Sequence, residues 1–237
     1  MVRRTKDEAQ ETRNGILDAA ERMFGERGVS RTSLEDIADA AGVTRGAIYW
    51  HFANKNELFQ AMADRVLLPM EDIMRQAAEE STEDPVARLA EACVQTLRRT
   101  VEDAQCRRVL EILCYRCESV GDLASISIRH RECRAGGLQM MERAFRNAVR
   151  RGQLPAGLNA RRAAVGLDAF IMGLVYAWLL DPASFPLARE ARALVDTYLG
   201  GLAQVAPAKP ASRAASAKPR RRTAAARAGG DARRRSA

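Results

Sequence analysis

The sequence predicts an all-α protein of about nine helices and no strand. Three observations carry that prediction. Apolar residues recur at i, i+3, i+4 and i+7 along most of the chain. Aromatic residues are scarce, at 5%, while alanine, leucine and arginine abound, a composition that suits helices better than sheets. Glycine, proline, asparagine and aspartate interrupt the pattern at helix-length intervals.

Taken in order, a first helix from about Asp7 to Arg27 presents Ile16, Leu17, Ala20, Met23 and Phe24 as one stripe, and Gly28 ends it. Thr32 and Glu35 stand three apart as a capping box, followed by Leu34, Ile37, Ala38 and Ala41 at helical spacing. Gly42 can take the left-handed conformation that stops a helix, and Thr44 offers a hydroxyl to cap the next one, which runs to Phe52. Asn54 and Glu57 open a helix to about Glu79. Asp84 and Pro85 start another to about Val101, and a pattern beginning near Gln105 breaks at Gly121 and Asp122. A long helix follows from about Ala124 to Arg151, then a break at Pro155, Gly157 and Asn159. An apolar helix to Leu180 and, after Pro182 and Pro186, a last helix ending near Ala203 complete the set. The longest apolar run, 163–180, is barely long enough to cross a membrane and contains Asp168. It reads as a helix buried in a core or a subunit interface.

Residues 32–52, TSLEDIADAAGVTRGAIYWHF, therefore encode a helix-turn-helix. On the second helix Arg45, Gly46, Tyr49 and Trp50 share one arc, while Ala47 and Ile48 point the other way. A helix that reads base edges needs donors at its N-terminal end and small residues that let the backbone approach, and Thr44, Arg45, Gly46 and Ala47 supply both. Tyr49, His51 and Lys55 are candidates for phosphates, with His51 nearer the packed side. Thr32 and Ser33 at the start of the motif, the flanking Arg31, and the arm of Arg3, Arg4 and Lys6 extend the candidate DNA-binding set. Acids and bases nearly cancel over the first 55 residues, so Glu35, Asp36 and Asp39 are expected to face away from the duplex or lie at its edge. Two ordinary core helices joined by a glycine would give the same helix–glycine–helix pattern.

The net charge of +8 has a particular location. From Val205 onward ten bases face one acid, whereas residues 1–204 hold 28 bases and 29 acids. The segments KPAS, AKPRRR and DARRRS lack the apolar side chains to fold alone, so 205–237 reads as a disordered basic tail. It is either a sequence-independent polyanion binder or a solvated extension.

The segment SLEDIADAAGVTRGAIYWHFANKNELF resembles the DNA-binding part of TetR family repressors. With ILDAAERMFGERGVSRTS before it, the chain is similar to the AcrR type that controls multidrug efflux pumps. ILCYRCESVGDL, NAVRRGQLPAGLNARRAAVGL and WLLDPASFPL extend the resemblance to roughly residues 10–202. It implies an N-terminal DNA-binding domain (1–54) and a C-terminal ligand-binding and dimerisation domain (55–204). The last two helices would pair with their copies in a homodimer that reads palindromic double-stranded operator DNA. It also implies a large, mostly apolar cavity lined by Val66, Leu89, Cys93, Thr96, Leu110, Cys114, Met141, Leu167, Asp168, Ile171 and Val175, for a small lipophilic inducer. Plain core packing would use the same aliphatic residues. A carboxylate such as Asp168 among apolar residues needs an arginine partner or a cationic ligand, so a lipophilic cation is one expected inducer.

Five cysteines, an odd number, argue against a disulfide framework. Cys114, Cys117, His130 and Cys133 make CxxC followed by HxxC, a spacing zinc tolerates. They lie on apparent helices without glycine knuckles, so neither a metal nor another cofactor is expected, and buried thiols or a redox sensor remain as readings. No nucleophile elbow, Walker loop or dinucleotide fingerprint is present, which leaves no basis for an enzyme. No secretory leader opens the chain, so a cytoplasmic location is expected. The rival reading is an architectural protein that binds DNA nonspecifically through its tail.

Overall fold

A computed structural model describes residues 6–79, 83–116 and 124–204, with side chains omitted for 124–133. The arm residues Arg3 and Arg4, the tail from 205 and Cys117 of the zinc reading therefore lie outside the described residues, as do the side chains of His130 and Cys133. Among the described residues there are nine α-helices, one π-helical turn and no strand: α1 (Lys6–Arg27), α2 (Leu34–Ala41), α3 (Arg45–His51), α4 (Lys55–Ala77), α5 (Pro85–Glu102), α6 (Ala104–Glu111), the π turn (Ile112–Arg116), α7 (Ala124–Arg150), α8 (Ala160–Leu180) and α9 (Leu187–Ala203).

The α1 stripe packs as its spacing demands. Ile16, Leu17, Ala20 and Phe24 are fully buried, Met23 nearly so, and the Phe24 ring lies 5.7 Å from that of Phe59 on α4. Gly28 (φ 83°) and Gly42 (φ 67°) turn the chain in the left-handed region that side chains avoid. The Gly42 N–H returns to the carbonyls of Ala38 and Asp39, closing α2.

The cap of α2 is displaced by one residue from its expected place. Ser33 is the N-cap, its hydroxyl accepting from the Asp36 N–H while the Asp36 carboxylate accepts from the Ser33 N–H. Thr32 is buried, and its hydroxyl donates to the Gly28 carbonyl at 2.8 Å. Burial decided between two adjacent hydroxyl–acid pairs that sequence alone cannot rank.

Below the head, α4 packs on α7, α7 on α8, and α5 on α9, while α1 also touches α6 and the π turn. Pro69 sits inside α4 and cannot donate to the Arg65 carbonyl, so the ladder is interrupted midway. The apolar helix α8 is long and hydropathic enough to cross a membrane by length and composition, with a mean hydropathy of 1.9. One of its faces is nevertheless buried in the body through Ala164, Leu167, Ile171, Val175 and Trp178. Its opposite face stays open, with Val165 at 47%, Tyr176 at 42% and Leu180 at 76% exposure.

Candidate functional site

The local sequence delivers α3 outward. Thr44 caps it by accepting from the Ala47 N–H at 3.2 Å, and Ile48 and Phe52 anchor it in the core. That leaves Arg45, Gly46, Tyr49 and Trp50 facing solvent, with Trp50 73% exposed. A side chain at Gly46 would meet nothing nearer than the Thr44 hydroxyl at 4.0 Å, so internal packing does not require glycine there. His51 is half-buried at the edge, its ring 4.6 Å from Trp50 and 6.3 Å from Phe52.

Three predicted residues are placed differently from expectation. Thr32, with its hydroxyl spent inside the protein, presents no side chain to a duplex. The Lys55 ammonium donates to the carbonyls of Val29 (2.9 Å) and Thr32 (3.0 Å), so two of its three hydrogens clamp the α1–α2 loop onto the start of α4. Glu35 does not face away: its carboxylate lies 3.3 Å from the Arg45 guanidinium and accepts from the Tyr49 hydroxyl at 3.4 Å. Arg45 in turn stands 5.7 Å above the Tyr49 ring. Arg31 and Ser33 remain exposed, Arg31 donating to the Arg27 carbonyl at 2.9 Å and Ser33 spending its hydroxyl on the cap.

A second feature lies between α4, α5, α6, the π turn, α7 and α8. It is a cavity of about 150 Å³ walled by Leu67, Met70, Met74, Leu113, Met141, Ile171 and Met172, with Glu71, Thr96, Arg134 and Asp168 as its polar members. Seven of the predicted lining residues meet here: Cys93, Thr96, Leu110, Cys114, Met141, Asp168 and Ile171. Val66, Leu89, Leu167 and Val175 do not; they are packed core. The missed α4 residues fall at helical spacing, 67, 70, 71 and 74, a stripe the sequence shows but does not distinguish from core.

The cavity is also smaller than expected, below the roughly 300–1,000 Å³ of pockets that enclose drug-sized ligands. Its four methionines are the adaptable part of the wall. The backbone at Leu113 and Cys114 is the π turn, a geometry that recurs at functional sites because it breaks the regular ladder.

Asp168 has its partner inside the protein. Arg134 donates to Asp168 Oδ2 through Nε at 2.9 Å and Nη2 at 2.6 Å, so the expectation that the carboxylate awaits a cationic ligand loses its ground.

Burial pushes the Cys93 thiol up to about 12 and the Cys106 thiol up to about 11, and it raises Cys114 against a hydrogen bond with Tyr176. Thiols so placed are poor thiolates, which counts against a redox sensor built on these three. Iodoacetamide at pH 7 is expected to leave Cys93 and Cys106 unmodified in the folded protein over a time that fully labels it in urea. Peptide mapping that finds either one labelled at the unfolded rate would reverse that assignment. Among the described residues, no group of three potential ligands surrounds a metal position.

With this geometry in place, comparison with known proteins is specific. Residues 16–62 match the bacterial regulatory proteins of the tetR family, and residues 84–204 match the C-terminal region of MAATS-type transcriptional repressors. The transcriptional regulator TtgR of Pseudomonas putida is 46% identical over 84% of this chain and 95% of its own length. The corresponding figures for AcrR of Shigella flexneri are 40%, 84% and 93%. The crystal structure of NalD, the secondary repressor of the MexAB-OprM multidrug efflux pump in Pseudomonas aeruginosa, superposes with a TM-score of 0.76 at 39% identity, covering 84% of this chain and 99% of that one. A head that exposes Arg45, Gly46, Tyr49 and Trp50, and a helical body with a small, mostly apolar pocket, thus have a family to go with them: this chain belongs to the TetR family of bacterial transcriptional regulators.

Proposed function

We propose that this protein is a homodimeric repressor that reads a palindromic operator with α3 and is released when a small lipophilic compound enlarges the cavity, and that it controls a multidrug efflux operon. One observation carries the reading. A single helix, α4, touches both sites: Lys55 at its start clamps the reading head, and Leu67, Met70 and Met74 further along it wall the cavity. A ligand larger than 150 Å³ that seats against Leu67, Met70 and Met74 shifts α4, and with it the head. Binding is then reciprocal, so DNA weakens ligand by the factor by which ligand weakens DNA.

The open apolar face of α8 supports a dimer. Gly166 faces α9, where a side chain would push the Tyr198 hydroxyl aside. One recognition helix has too few base contacts for an address, whereas two related by a twofold axis read half-sites about one turn apart. Control of an efflux operon follows NalD, whose described role is that of an efflux-pump repressor.

Because Arg134 already pairs with Asp168, that carboxylate does not call for a cation, and the mostly apolar wall favours an uncharged, largely apolar inducer. Footprinting on the intergenic DNA beside the gene should show a protected palindrome, lost on adding an uncharged biphenyl-type compound. A quaternary ammonium compound of equal size should act more weakly. Protection without dyad symmetry, or equal release by the cation, would count against the dimer and the uncharged inducer respectively.

A further inference from the structure

Glu35 of α2 does not face away from α3 but lies beside its outward residues. Its carboxylate contacts two of the outward donors of α3, Arg45 at 3.3 Å and the Tyr49 hydroxyl at 3.4 Å. A DNA phosphate oxygen accepts from the same kinds of donor, so a phosphate reaching Arg45 and Tyr49 would compete with Glu35 for them. The pair is solvent-exposed, with side-chain exposure of 74% for Arg45 and 46% for Glu35, so it adds little to stability.

We infer that Glu35 is a specificity-determining residue, which holds Arg45 for a base edge and discourages it from binding phosphate indiscriminately. This rests on the reading of α3 as the recognition helix. A guanidinium has five N–H donors, and one carboxylate oxygen leaves most of them able to reach a base. A phosphate approaching the same group meets a carboxylate beside it and is repelled. Nonspecific DNA must displace Glu35, whereas a matching base need not. The head has almost no net charge to spend, so its selectivity depends on where the charges sit.

The test compares wild type, Glu35→Gln and Glu35→Asp on two probes: the duplex that wild-type protein enriches from a random-sequence pool, and poly(dI-dC). Glu35→Gln should raise affinity for poly(dI-dC) by roughly threefold per subunit, as for loss of one solvent-exposed repulsive charge, and steepen the salt dependence by about one per subunit. Affinity for the enriched duplex should change less, so the ratio between the probes falls. Glu35→Asp, which keeps the charge, should restore most of that ratio, and melting temperatures should stay close to wild type. Equal changes on both probes would show Glu35 to be merely a helix-terminal charge and overturn the inference. So would a new preferred base with loss of affinity for the enriched duplex, since Glu35 would then itself be reading a base. If wild type enriches no sequence, the recognition-helix reading fails, and this inference with it.

Discussion

Replacing Arg45 with alanine is expected to lower affinity for the operator by at least roughly 30-fold while leaving the fold intact. Arg45 is the exposed cation at the first position of α3, 74% open to solvent, and its only described partners are Glu35 and the Tyr49 ring. No core contact is lost by truncating it. A well-placed arginine–base contact contributes about 1–3 kcal/mol, and a dimer loses two, so the operator should weaken by about 2–6 kcal/mol. The loss should be concentrated in sequence discrimination. Deleting residues 205–237, by contrast, should lower affinity on every sequence alike and flatten the salt dependence. Titrations of both variants on the operator and on unrelated DNA separate these effects. An Arg45→Ala protein that discriminates as well as wild type would show that Arg45 does not read the operator.

The second large effect lies at the junction of head and body. Glu21 of α1 is only 2% exposed, yet it accepts from Gln105 at 2.7 Å and from Arg65 at 3.1 Å, with Arg108 at 3.7 Å. Burial raises its carboxyl above the usual carboxylate range, while the Gln105 hydrogen bond and the two arginines pull it back. Arg65→Met should therefore cost about 2 kcal/mol at pH 7, because it leaves a buried carboxylate with only Gln105 and the more distant Arg108. Combining it with Glu21→Leu should recover much of that, since the charge goes with its partner.

The pH dependence has a definite sign. A carboxyl whose folded pKa lies above its unfolded value of 4.5 binds more protons folded than unfolded. Its contribution to stability is thus greatest at low pH and fades as pH rises through the raised folded value. The Arg65→Met deficit should accordingly shrink between pH 7 and pH 5. Urea melts at the two pH values decide the matter, and a deficit that is absent at pH 7, or unchanged at pH 5, would mean that Glu21 is better solvated than its burial indicates.

Much of the fold is visible in local patterns. The α1 stripe, the left-handed Gly42, the Thr44 cap and the outward arc of Arg45, Gly46, Tyr49 and Trp50 all follow from spacing over three or four residues. The cap of α2 was ambiguous because Thr32–Glu35 and Ser33–Asp36 both satisfy the capping pattern, and only the burial of Thr32 separates them. Cavity and core were equally hard to tell apart. Leu89 and Cys93 lie one turn apart on α5, yet one is packed and the other borders a void. Composition is the same on both sides of that boundary.

The sequence by itself determined the helices, most of their caps and the side that α1, α2 and α3 bury, because periodicity is written within a single turn. The tertiary structure alone decided which of these polar side chains meet: Arg134 with Asp168 across 34 positions, Arg65 with Glu21 across 44, and Gln105 with Glu21 across 84. A charged side chain acquires its role from whatever folding brings within about 4 Å of it, and no local pattern specifies that neighbour.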